Sequence, residues 1–147
     1  TFVDYYGRIL KLNIKTNEMN VYFEGGVSED KTKTLSNPDC IQLANINEKK
    51  YLVIHEDIIG LSEARVPQYV ENKGKYYNEL FFLDLSIENP KIKDAKRFII
   101  ASLGAEMTGG IFTPDGSTFF VNLQHPSSIN TYPYNNSTTF AISGFVK

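Results

Sequence analysis

Apolar and polar positions alternate over short stretches of this chain, and the stretches come in pairs separated by turn-forming residues. Residues 7–14 (GRILKLNI) alternate, Thr16, Asn17 and Glu18 turn, and residues 19–24 alternate again, which predicts a β-hairpin. Residues 25–36 are charged and Thr-rich without a packing period and read as a surface connection with little to bury. Strands are predicted at 40–44 and 51–55 about a turn at 45–50, followed by a long connection at 57–77 with one helical turn, 61–66, stopped by Pro67. Two further strands, 79–85 and 96–101, flank a turn through Asn89 and Pro90. The next hairpin joins 111–113 to 117–123 through Pro114, Asp115 and Gly116, where Pro presets φ and Gly supplies the positive φ. A Pro-, Ser- and Asn-rich loop at 126–137 leads to a last β-rich run, 138–146.

The hairpins repeat. Aligned without gaps, Val53 falls on Val121, Leu43 on Ile111, and the Asn47-Glu48 turn on Asp115-Gly116. Labelled by position in the repeat, the strands run C-D, A-B-C-D, A-B-C, one complete meander between two incomplete ones. Repeated four-stranded antiparallel units of roughly 40 to 50 residues or more mark a β-propeller. The expected fold is therefore all-β, a partial β-propeller with about two to three four-stranded antiparallel blades. A β-sandwich of about nine strands is the other architecture this pattern allows. The 147 residues fit a single domain. The chain opens Thr1-Phe2-Val3 and starts partway through a blade, so it reads as the C-terminal fragment of a larger propeller. Unpaired edge strands on a partial ring predict a homodimer or a strand-swapped assembly.

Composition narrows the functions. Aromatics at 13% with no Trp favour strands. A net charge of -2 and a pI near 5.7 supply no basic field for a polyanion, which argues against nucleic acid as a partner. No apolar run approaches the roughly 20 residues of a membrane span. Cys40 is the single cysteine, so no intramolecular disulfide forms.

Antiparallel strands joined by a short turn bring their outer ends together, so Glu106 should share a sheet edge with Gln124 and His125, opposite the Pro114–Gly116 turn. The repeat adds Asp39, Glu56 and Asp57 at equivalent places, and in a propeller all of these converge on one mouth of the central channel. Several carboxylates around a wet mouth suit Ca²⁺, a hard cation taking six to eight oxygens. His125 offers an imidazole for a transition metal or for acid–base work.

One longer motif is more specific. LGAEMTGGIFTPDGSTFFVNLQHPSS resembles the terminal blade of the PhoX-type alkaline phosphatases through Glu106, Thr108, Gly109, 112–116, 120–122 and 124–126. Asn37-Pro38-Asp39 and Glu56-Asp57 resemble two further elements of that family, although Cys40, His55 and Ile58 depart from its pattern. The resemblance implies a periplasmic or secreted propeller that hydrolyses phosphate monoesters with Ca²⁺ and iron. Carried over, it makes Asp39, Glu56 and Glu106 metal ligands or the shell supporting them, with His125 as a catalytic group that orients a ligand or protonates the leaving alkoxide. Arg65 is a candidate phosphate clamp. The family's iron-binding Cys and further Glu residues have no match here, which predicts that the chain alone is inactive. A non-catalytic propeller module that binds Ca²⁺, a sugar or a protein is the competing function.

Overall fold

A computed structural model describes residues 6–29, 33–58 and 77–145. The fold is all-β and propeller-like, built from antiparallel meanders laid side by side. The first is a hairpin of β1 (Arg8–Asn13) and β2 (Glu18–Glu24). A short ladder of β3 (Gly26–Val27) and β4 (Thr34–Leu35) follows. Then comes a complete four-stranded sheet in the order β5 (Pro38–Ile46), β6 (Lys49–Glu56), β7 (Glu79–Asp84), β8 (Lys96–Ile100). The last sheet holds β9 (Glu106–Phe112), β10 (Thr118–Gln124) and β11 (Thr138–Ser143), with β10 in the middle. This is the succession C-D, A-B-C-D, A-B-C expected from the hairpin repeat. The helical turn expected at 61–66 and the Arg65 candidate lie outside the described residues.

The central sheet is covered on both faces, which explains why β6 and β7 read as continuous apolar runs rather than alternating ones. Period-two alternation is still present, but it sorts side chains between two cores. Leu52 and Ile54 of β6, with Phe81 and Leu83 of β7, face Ile9, Phe23 and Leu35. Val53, Leu80 and Phe82 face the other way, onto Met107, Phe119, Val121 and Leu123 of the last sheet. The strand register agrees, pairing Leu52 with Leu83, Ile54 with Phe81 and Val53 with Phe82. Phe82, Phe98, Phe112, Phe119 and Phe145 fill the second core with mostly edge-to-face contacts. Phe82 and Phe119 are the buried rings of this group, and full burial of such a ring contributes about 1.5 to 3 kcal/mol.

The segment 25–36 differs from its expected solvated state. Leu35 and Ser36 are wholly buried and Ser28 nearly so. A two-residue ladder is too short to show a period, and what draws it inward is a buried acceptor on β6 described below.

Turn chemistry fixes both long hairpins. Asn47 and Glu48 both take positive φ (49° and 66°), the two-residue geometry that matches strand twist. At the later turn Asp115 Oδ1 accepts from Thr113 Oγ1 (2.6 Å), Ser117 N (3.0 Å) and Ser117 Oγ (2.9 Å), while Gly116 takes φ 71°. These donors hold the exposed Asp115 carboxyl down at about 2, against an ordinary 3.8. A lowered folded-state pKa means the contribution to stability is complete above the ordinary value and is lost as pH falls toward about 2. Asp115→Ala should therefore flatten the acid-unfolding curve in that window and leave its neutral-pH arm parallel to wild type, as followed by circular dichroism.

Candidate functional site

The ends of β5, β6 and β9 meet at one rim. Asp39 lies in β5 beside an irregularity in its pairing with β6, Asp57 follows β6, and Glu106 opens β9. One carboxylate oxygen from each of Asp39, Asp57 and Glu106 lies within 4.8 Å of the other two. Asp39 is exposed and the other two are half-buried. Two oxygens bound to one Ca²⁺ at 2.3–2.6 Å can be no more than about 5 Å apart, so the spacing fits a shared cation. The donors are all oxygen, which suits a hard cation, and Cys40 is not among them.

Hydrogen bonds organise this rim. Glu106 pairs with Gln124 across the β9–β10 register, and Gln124 Nε2 donates to Glu106 Oε2 at 2.7 Å. The expected meeting of Glu106 with the far end of the return strand is thus present, although β9 is longer than the sequence suggested and begins at Glu106 itself. Desolvation raises the Glu106 pKa; Gln124 opposes this, Asp57 and Asp39 add to it, and His125 opposes it. A bound cation would offset that crowding of like charge. His125 is exposed at φ 54° and directly follows β10.

Glu56 occupies a different place. It is the last residue of β6, 2% exposed, and both of its oxygens are used: Oε1 accepts Ser36 N–H at 2.7 Å and Oε2 accepts Glu79 N–H at 2.9 Å. The structure therefore brings Asp39 and Glu106 together with Asp57, and sets Glu56 in the layer behind them. Burial pushes the Glu56 carboxyl up to about 8, against the pull of the two N–H groups and Arg97. Arg97 in turn meets Glu79 at 2.8 Å.

Next along β6, His55 is fully buried and its Nδ1 lies 3.1 Å from Met107 O, one residue past Glu106. Burial lowers the His55 pKa, so the ring is neutral and Nδ1–H is the donor to that carbonyl. Gly110 makes room for the ring. A Cβ there would lie 2.8 Å from His55 Cε1, 2.9 Å from Nε2 and 2.6 Å from Phe119 Cζ. A cavity of about 480 Å³ between residues 21–29 and 89–93 shares no residue with the acidic rim.

The alkaline phosphatase PhoX family has a sequence model that matches residues 4–127, a span reaching from before β1 to just past β10. The chain belongs to this family. No curated protein and no solved structure matches the chain. Membership of the PhoX family makes this a phosphatase-related domain, and the matched span includes Asp39, Asp57, Glu106 and His125. Asp57 is the residue that sequence reasoning under-weighted. Its signal was present in the repeat, since Asp57 aligns with His125 and Glu56 with Gln124, which puts Asp57 one step beyond the strand on the open side.

Proposed function

We propose that the chain supplies the cation-binding rim of a PhoX-family phosphomonoesterase, with Asp39, Asp57 and Glu106 holding Ca²⁺ and Glu56 anchoring the strand end behind them. The convergence of three carboxylates from separate strands, within a family of phosphatases, is the observation that supports this reading. A divalent cation at such a rim polarises the phosphoryl oxygens of a phosphate monoester and offsets negative charge as the ester bond breaks. The chain's own residues set that geometry: Gln124 orients Glu106, and His125, the residue after Gln124, would position a ligand or protonate the leaving alkoxide.

Iron belongs to this proposal as a second cation of the complete site, bound by residues other than the three carboxylates. By itself the chain is expected to show no turnover of p-nitrophenyl phosphate with Ca²⁺ and iron added. A periplasmic or secreted location belongs to this proposal as what the resemblance to the PhoX family implies. Open sheet edges, such as the uncharged β11, make a second copy of the chain a proposed partner.

Calorimetric titration with CaCl₂ tests the site. Wild type should bind one Ca²⁺, and Glu106→Gln and Asp57→Asn should each weaken binding by at least tenfold, because each removes one of three charged ligands. Equal binding by these variants would contradict the assignment. Calcium binding without turnover in the complete protein would favour the non-catalytic binding module.

A further inference from the structure

Asn78 lies immediately before β7 and is 1% exposed. Its amide joins two segments that each lead into a residue of the rim. Oδ1 accepts Ile58 N–H at 2.6 Å, and Nδ2 donates to Ala105 O at 2.8 Å. Ile58 follows Asp57, and Ala105 precedes Glu106. One buried side chain therefore holds the backbone beside each of two acidic residues that come from different sheets. Its base is fixed as well, because Asn78 O accepts Ala101 N–H at 2.8 Å.

The bridge needs this residue type. A side-chain amide carries its donor and its acceptor on two separate atoms, so it can reach two backbone groups at once; a hydroxyl has both on a single atom, an ionised carboxylate lacks the donor, and an aliphatic side chain lacks both. Other links also hold the rim. Asp57 N–H donates to Asn37 O at 3.0 Å and His55 Nδ1–H to Met107 O at 3.1 Å, so residues 55, 57 and 58 and residues 105 and 107 are each tied by a hydrogen bond. Of these ties, the Asn78 amide is the one that reaches both acidic neighbourhoods from a third element.

We propose that Asn78 is a positioning residue that sets the separation of Asp57 and Glu106, and through it the affinity of the rim for a cation that Asn78 itself does not touch. This rests on the cation-site reading above. Groups that hydrogen-bond a metal ligand directly commonly change affinity by about 10- to 100-fold when replaced, and Asn78, acting one residue removed, is expected at the lower end of that range.

The experiment is calorimetric titration of the 147-residue chain with CaCl₂, at a temperature where circular dichroism reports a folded protein. Four proteins are compared: wild type, Asn78→Ala, Asn78→Asp, and Leu83→Ala as a control that weakens the core on the far face of the central sheet. Asn78→Ala and Asn78→Asp should each bind Ca²⁺ about tenfold or more weakly than wild type, with Leu83→Ala unchanged. The Asp variant is the sharper of the two and decides the matter if the Ala variant does not fold. Its added negative charge alone would tighten cation binding, so weaker binding reports lost geometry. Wild-type affinity in the Asn78 variants, tighter binding by Asn78→Asp, or an equal loss in Leu83→Ala overturns the positioning role while leaving the site intact. Absence of Ca²⁺ binding by wild type overturns the site reading, and this inference with it.

Discussion

Glu56→Leu should lower stability by about 2 to 4 kcal/mol, because it strips the acceptor from two backbone N–H groups in the protein interior. Each orphaned donor costs about 1 to 3 kcal/mol, and part of that total is offset by no longer burying a carboxyl group. For a chain of this size the melting temperature should fall by roughly 10 °C in a calorimetric scan. Glu56→Gln keeps one oxygen and the shape of the side chain, so its loss should be about half as large. Neither variant removes an oxygen from the acidic rim. A Leu variant as stable as wild type would show that the strand ends are held some other way.

Gly110→Ala is expected to have the second large effect, about 2 to 3 kcal/mol, for the opposite reason. The added methyl enters space already filled by Phe119 Cζ and the His55 ring, at separations of 2.6 to 2.9 Å. Both neighbours are fully buried, so neither can swing into solvent. The collision also presses on the His55 link to Met107, next to Glu106. Denaturant unfolding should show a lower midpoint with an unchanged slope. Combining the change with Phe119→Leu, which clears the closest atom, should cost less than the sum of the two single changes. Strict additivity would mean that the methyl is accommodated without contact.

Much of the architecture was legible because turn chemistry and strand alternation repeat along the chain. Asn47-Glu48 and Pro114-Asp115-Gly116 mark equivalent turns, and the strands pair in equivalent registers beside them, Leu43 with Leu52 and Ile111 with Phe120. Those turns also announced which strand ends would gather, so Asp39 and Glu106 could be named from sequence. Alternation stopped being informative where both sheet faces are covered. Along β6 every residue from Leu52 to Glu56 is buried, so alternation could not separate Glu56 from Asp57, and the alignment with Gln124 and His125 was the signal that could. Burial of Leu35 and Ser36 was hidden for a related reason: the Ser36 N–H is drawn in by an acceptor twenty residues away in sequence. Asn78 gave no local sign at all, since its importance lies in two backbone groups from two other elements.

The central claim is that three carboxylates from separate strands form one cation site. Crystals soaked in TbCl₃, a Ca²⁺ mimic with strong anomalous scattering, test it most directly. The account predicts a single strong anomalous peak about 2.3 to 2.6 Å from carboxylate oxygens of Asp39, Asp57 and Glu106. A strong peak elsewhere, or none at this rim, would contradict it.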